Sequence, residues 1–107
     1  WKTMPHERQR LIDLIDTSSS NSVLFISGDR HRGGLYQLTS SSGKNIVEMT
    51  SSSLNLSFTN DEEAGPLRVG STFVQENYGE ILLNKLTNKL TVNLKDNQGN
   101  IVQSVDL

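Results

Sequence analysis

The sequence contains no cysteine, so it can form neither a disulfide framework nor a thiolate zinc site. It also lacks an apolar run that approaches the ~18–20 residues of a membrane span. Neither sign of charge dominates, since the formal net charge is −2 and the pI is about 5.6. This balance predicts no nucleic-acid-binding surface, and the lack of a long apolar run predicts no transmembrane segment.

Apolar residues are scarce as well. They make up 34% of the 107 residues, whereas serine and threonine contribute 14 and 8 residues. Average domains are ~45–50% apolar. The length suits one domain, but the core of that domain should be thin. The composition therefore favours a segment that packs against another part of a larger protein.

Residues 4–16 are predicted to form a helix. Pro5 suits the first turn, where a missing N–H costs nothing, and Thr3 is the expected N-cap. Long side chains recur at helical spacing on one face, namely Met4, Arg8, Leu11, Ile12 and Ile15. The helix should end in the polar run at 17–21.

Strands are expected after the helix. Val23–Ile26 is a continuous apolar run, which predicts a strand buried on both faces. Residues 35–38 and 46–49 flank a turn at Ser40–Gly43, which predicts a hairpin.

Residues 50–76 read as an irregular stretch, with a solvated acidic run at 61–63. Asn77 is expected to fix a turn by bonding its side chain to the backbone. From there three runs alternate or nearly alternate in polarity, namely residues 78–84, 89–95 and 101–105. This pattern predicts an antiparallel meander over residues 78–105 with one wet face.

Reactive side chains are concentrated in residues 27–34. Asp29 and His31 are two positions apart, so on an extended chain both would project to one side and could ligate a metal ion. Arg30 and Arg32 carry forked donors that suit phosphate oxygens. On these residues alone, an equally good interpretation is that the aspartate caps a turn and the histidine is held by a hydrogen bond.

Four short segments together carry a family resemblance. They are Trp1 with Met4–Leu11 ("W…P.ER.RL"), Val23–His31 ("vvfLSGDrH"), Glu48–Ser52 ("E.TSS") and Glu76–Gly79 ("NFG"). In this order and at this spacing they resemble the alkaline phosphatase D-like metallophosphoesterases. The resemblance covers essentially the whole chain.

The resemblance implies that residues 1–107 are a single C-terminal segment of a larger domain. The expected fold is an α+β fragment of the four-layer α/β/β/α calcineurin-like fold, in which two sheets pack face to face. Asp29 becomes a metal ligand, and His31 becomes a ligand or an acid/base that faces the phosphate. Many relatives have Gly-His-x-His where this chain has Gly-Asp-x-His. The carboxylate favours calcium, iron or manganese, so zinc is not assumed.

The implied activity is hydrolysis of a phosphomonoester or phosphodiester by metal-activated water. Other ligands would come from upstream motifs, so the implied partner is the missing N-terminal part of the same protein, and this chain alone should be inactive. The resemblance also implies a secreted, periplasmic or cell-surface location. The alternative is a non-enzymatic β-rich accessory or binding module.

Overall fold

The computed structural model describes residues 3–58 and 65–107. Helix α1 (Pro5–Thr17) is followed in these ranges by β1 (Ser22–Ser27), β2 (Gly33–Thr39), β3 (Asn45–Ser51), β4 (Arg68–Phe73), β5 (Asn77–Asn84), β6 (Lys89–Asp96) and β7 (Ile101–Asp106). Trp1 and the acidic run at 61–63 lie outside the described residues. Within those ranges, no helix has the length and apolarity needed to cross a membrane.

The strands form two sheets. Sheet A has the order β1-β3-β2-β4, and sheet B has the order β5-β6-β7. The β1–β3 pair is parallel, and the other pairs are antiparallel. The chain is thus an α+β structure with one helix and mostly antiparallel strands, which confirms the coarse prediction.

Helix α1 starts one residue later than predicted. Its N-cap is Met4, whose side chain makes no capping hydrogen bond, so the prediction of Thr3 as the cap is wrong. Pro5 lies in the first turn as expected, and its missing N–H removes one of the backbone donors that have no partner within the helix. Ile15 is the buried residue of the helix. The helix ends where the backbone N–H of Ser18 bonds to the carbonyl of Ile15 at 3.0 Å.

The end of α1 is tied to the β2–β3 turn. Ser41 and Ser42 donate hydrogen bonds to the carboxylate of Asp16, at 2.5 and 2.7 Å. From the same turn, the ammonium of Lys44 donates to the carbonyl of Ile15 at 2.7 Å. A cation beside the last carbonyls of a helix also complements the helix dipole. These bonds place the helix at the end of sheet A that carries the β2–β3 turn.

The core lies between the two sheets. Sheet A contributes the buried side chains of Leu35, Val47 and Met49, and sheet B contributes Val92, Leu94 and Val105. Along β3, Val47 and Met49 face inward because successive strand residues alternate between faces. Sheet B therefore covers one face of sheet A.

Two glycines allow the sheets to approach closely. A Cβ atom on Gly33 of sheet A would lie 2.7 Å from Cδ1 of Leu94, which belongs to sheet B. In the reverse direction, the side chain of Met49 occupies the space that a Cβ atom on Gly79 would need. Each sheet therefore receives a side chain of the other at a glycine, where any larger residue would force the neighbour to move.

The predicted burial of residues 23–26 on both faces is wrong for this chain. β1 is an edge strand, and its side chains are half-buried apart from Ile26, which is 66% exposed. The reason is that β3 packs over β5, so sheet B ends beneath β3 and does not reach β1. An uninterrupted apolar run is thus compatible with an edge strand.

The expected irregular stretch at 50–76 also needs correction. β3 continues to Ser51, and β4 pairs with β2 across a register shift between Gly33 and Leu35. β4 has no alternating pattern and contains Gly70 at a φ of 73°, so its local sequence gives no strand signal. Pairing with a strand distant in sequence defines it instead.

The predicted meander is confirmed, as is the β2–β3 hairpin. The outer face of sheet B is polar, as expected, but its centre is not exposed. Asn93 is buried there and donates to the carboxylate of Glu80 at 2.9 Å, while it accepts a bond from Ser104 at 2.7 Å. Buried polar groups require such partners.

Candidate functional site

The reactive segment forms a short crossing at one end of sheet A. Residues 28–32, called the site loop below, join β1 to β2. The predicted segment of 27–34 was too long, since Ser27 belongs to β1 and Gly33 and Gly34 belong to β2. Because β3 lies between β1 and β2, the site loop must pass over the end of β3.

Ser52, the residue after β3, holds the backbone of the site loop by two hydrogen bonds. Its hydroxyl accepts a hydrogen bond from the backbone N–H of Arg30 at 3.0 Å and donates one to the carbonyl of Arg32 at 3.3 Å. A hydroxyl has one donor and two acceptor positions, so both bonds can form together. The backbone on each side of His31 is thus fixed to the end of β3.

The strand end that precedes the site loop is fixed in a similar way. The hydroxyl of Ser27 lies 2.8 Å from the carboxylate of Glu48 and 2.7 Å from the hydroxyl of Thr50. The carboxylate can only accept, so Ser27 donates to Glu48 and Thr50 donates to Ser27. The segment Glu48–Ser52, which carries one part of the family resemblance, therefore holds the site loop in place.

His31 has a defined ring orientation. Its Nδ1 lies 3.1 Å from the carbonyl oxygen of Leu56. A carbonyl oxygen can only accept, so Nδ1 carries the proton and Nε2 of the neutral ring keeps its lone pair. Histidines that bind metal ions commonly donate their other ring N–H to a backbone carbonyl in this way. The geometry therefore leaves Nε2 as the ring nitrogen with an available lone pair.

Phe58 holds the same histidine from the side. Its ring centroid lies 4.7 Å from that of His31, with an angle of 38° between the ring planes. The backbone N–H of Phe58 also donates to the carbonyl of His31 at 3.0 Å. Leu56 and Phe58 were not predicted from the sequence to contact the site loop. The available signal was the apolar alternation of Leu54, Leu56 and Phe58 within a polar stretch directly after β3.

Asp29 and His31 are not extended, so the condition under which both side chains would project to one side is not met. Both residues have left-handed backbone conformations, with φ values of 66° and 50°. Aspartate and histidine tolerate this region better than most residues. The physical reason is the short connection, because five residues that must cross β3 and return in the opposite direction have to turn.

The two arginines take different positions. Arg30 is exposed, whereas Arg32 is half-buried and its Nε donates to the carbonyl of Arg30 at 3.3 Å. Part of the Arg32 guanidinium is thus engaged in the site loop itself. Contact of either arginine with a phosphate group stays a prediction.

The donor set in the site loop consists of one carboxylate and one imidazole. Residues 3–58 and 65–107 contain no group of three or more His, Cys, Asp or Glu side chains that could hold a metal ion. A carboxylate and an imidazole suit iron, manganese or zinc, and calcium prefers oxygen ligands alone. A complete centre therefore needs ligands beyond Asp29 and His31.

The carboxyl groups with lowered pKa values take part in structural contacts away from the site loop. Hydrogen bonds from Ser40, Ser41 and Ser42 lower the pKa of Asp16 to about 2. The hydrogen bond from Lys95, followed by that from Asn93, lowers the pKa of Glu80. The hydrogen bonds that cause these shifts stabilise the end of α1 and the outer face of sheet B.

No family model, curated protein or solved structure matches this chain. The resemblance of the four segments therefore stays a prediction from sequence.

Proposed function

We propose that this chain is the C-terminal portion of a metal-dependent phosphoesterase of the alkaline phosphatase D-like type, in which the site loop supplies one edge of the metal centre. The observation that carries the proposal is the orientation of His31. Its Nδ1–H is bonded to the carbonyl of Leu56 and leaves the Nε2 lone pair for a metal ion or a proton. Asp29 adds a carboxylate two residues away in the same loop.

The residues of the site loop would have different roles. Asp29 holds the metal ion, and His31 either ligates it or exchanges a proton with the substrate through Nε2. Arg30 and Arg32 contact the phosphate group of a monoester or diester. When bound, the metal ion supplies the charge that activates water for attack on phosphorus. Iron, manganese and zinc suit both ligands, and calcium suits the case in which His31 exchanges a proton and does not ligate the metal ion.

The exposed apolar surface at one side of the molecule supports the view that more of the protein packs here. Ile26 of β1 and Leu83 of β5 lie on the inner faces of their sheets by alternation, yet 66% and 56% of their surfaces are exposed. Inner faces are normally covered by the opposite sheet. Further strands and helices from a preceding part of the protein would cover them and complete a four-layer calcineurin-like domain.

The proposal is tested on the complete protein with Asp29→Asn and His31→Ala. Asp29→Asn keeps the shape of the side chain but removes its charge, so metal content and turnover should fall together. His31→Ala should lower turnover at least as much. Metal analysis, steady-state kinetics with phosphomonoester and phosphodiester substrates, and circular dichroism are the measurements.

The matched controls are Asp13→Asn and His6→Ala, both on the exposed surface of α1. Neither should change metal content or turnover. A folded Asp29→Asn protein with wild-type metal content and wild-type kcat would contradict the metal-ligand assignment. Arg30→Ala and Arg32→Ala should mostly raise KM if these residues hold the phosphate group in the ground state.

A non-enzymatic β-rich accessory or binding module is the second candidate. The observation in its favour is that hydrogen bonds with Ser52 and Leu56 already hold the site loop in one conformation. Under this alternative, Asp29→Asn and His31→Ala leave the metal content of the complete protein unchanged. The metal analysis described above therefore separates the two candidates.

A further inference from the structure

We propose that Phe58 is a positioning residue for His31, which fixes the imidazole as the Nδ1–H tautomer and thereby selects Nε2 as the nitrogen that reacts. The inference rests on the proposed function for its catalytic meaning. Its geometric part stands on contacts that no sequence motif suggested. Residues 54–58, called the strap below, follow β3 and return to the site loop.

The strap meets His31 at three points. The Leu56 carbonyl accepts the bond from Nδ1 at 3.1 Å, the Phe58 N–H donates to the His31 carbonyl at 3.0 Å, and the two rings lie 4.7 Å apart. The two hydrogen bonds run in opposite directions, one from His31 to the strap and one from the strap to His31. The histidine is thus held through both its ring and its backbone.

Phe58 provides an apolar contact that the other large side chains of the strap do not match. Leu54 and Leu56 are 78% and 61% exposed, whereas Phe58 is 52% exposed and packs on the imidazole. Without that ring, the hydrogen bond between Nδ1 and the Leu56 carbonyl would depend on a strap with little apolar packing. The carbonyl would then leave Nδ1 for part of the time, and the ring proton would be free to move to Nε2.

A proton on Nε2 would remove the lone pair that a metal ion or a proton transfer requires. The strap therefore acts on chemistry at the ring without contacting substrate. Partners of this kind, which orient a ligating histidine, typically change metal affinity or activity by ~10–100-fold when they are removed. We expect a loss at the lower end, about 10-fold, because Phe58→Ala leaves the Leu56 carbonyl in the strap as the acceptor for Nδ1–H.

The chain offers a clean spectroscopic test because it has two histidines, His6 and His31. Long-range ¹H–¹⁵N spectra at about pH 8.5, well above the ordinary imidazole pKa of ~6.5, report the tautomer of each neutral ring. His31 should show the Nδ1–H pattern. His6 is exposed on α1 and serves as the internal reference.

Three variants make the test specific. Phe58→Ala should move the His31 pattern toward that of His6, and Phe58→Tyr, which keeps the ring, should retain the wild-type pattern. Leu54→Ala is the matched control in the strap and should change nothing. An unchanged His31 tautomer in folded Phe58→Ala protein would overturn the positioning role.

The complete protein supplies the second readout. Phe58→Ala should lower kcat about 10-fold, and Phe58→Tyr should restore it. If Phe58→Ala shifts the tautomer while Asp29→Asn leaves metal content intact, the proposed phosphoesterase function fails and the structural role of the strap stands. If the tautomer shifts but kcat of the active enzyme does not change, the ring orientation has no catalytic role and the inference fails.

Discussion

The two lateral sides of the sandwich are built differently. On the side formed by β4 and β7, Gln103 of β7 bridges the sheets, since its Oε1 accepts from the backbone N–H of Leu35 at 3.2 Å and its Nε2 donates to the carbonyl of Ser71. This bond satisfies a buried N–H next to the register shift between β2 and β4. Gln103 thus joins the two sheets on this side.

On the side formed by β1 and β5, the sheets are joined at one end and separate along the rest. Asn77, at the start of β5, donates its backbone N–H to the carbonyl of Ser53 at 2.8 Å and accepts a bond from Ser51 at 3.1 Å. Further along β5, Ile81, Leu82 and Leu83 are exposed. The joined end is the one that lies beside the site loop.

The difference indicates which part of the fold is self-sufficient. An edge at which a side chain bridges the two sheets needs no further partner, whereas an apolar edge strand without charges can pair with another strand. β1 carries no charged residue and no proline. We therefore expect the β4–β7 side to determine the stability of the isolated chain, and the β1–β5 side to matter once the rest of the protein is present.

The largest expected effect compares one leucine from the core with one from the open side. Leu35→Ala removes a fully buried side chain and should lower the free energy of unfolding by ~2–5 kcal/mol. Leu83→Ala removes a side chain that is mostly exposed and should cost about 1 kcal/mol or less. Urea denaturation of the 107-residue chain measures both. Equal losses would show that the β5 end is as well packed as the centre.

The next effect concerns the bridge. Gln103→Leu keeps the size of the side chain but leaves the buried N–H of Leu35 without its acceptor, which should cost ~1–3 kcal/mol. Gln75→Leu, at an exposed position, is the control and should be nearly neutral. Denaturation curves of the two variants decide the matter. A neutral Gln103→Leu would mean that water replaces the side chain at little cost.

A smaller effect is expected at the open side. Ile26→Lys should change the stability of the isolated chain by no more than about 0.5 kcal/mol, because the side chain is already exposed. In the complete protein the same change should destabilise strongly, since a charge would be buried. Thermal unfolding of both forms provides the comparison. A mild effect in both would argue that nothing covers β1.

The smallest effect is expected where α1 joins the β2–β3 turn. The pKa of Asp16 is lowered from 3.8 to about 2, so its contribution to stability is complete above pH 3.8 and is lost as the pH falls through about 2. Asp16→Asn should remove this part of the acid dependence. Asp13→Asn, whose carboxylate bonds to Gln9 within the helix, is the control. Identical acid unfolding curves for wild type and Asp16→Asn would contradict the assignment.

The features that local sequence determines were predicted well. The helix, the β2–β3 hairpin and the meander follow from periodicity and turn residues. Asn77 fixes a turn as expected, with its Nδ2 donating to the carbonyl of Gln75 at 2.7 Å. Each of these signals lies within a few residues of the structure it specifies.

The features that depend on distant contacts were not predicted. β4 is a strand because β2 provides a partner, and β1 is only half-buried because sheet B ends beneath β3. In the site loop, the reactive residues were singled out from the sequence, but their backbone conformation was not predicted. The left-handed backbone of Asp29 and His31 depends on the loop's path over β3, and the contact between His31 and Phe58 joins residues that lie 27 positions apart.

The close fit of Leu94 against Gly33 has a consequence for the site. Gly33 is the first residue after the site loop, and its backbone lies against the methyl groups of Leu94. A change in the spacing of the two sheets should therefore also move the site loop. Leu94→Ile, a modest change in the middle of the core, should therefore alter the surroundings of His31 as well as the stability of the chain. The distance between Leu94 and His31 does not isolate the site loop from the core.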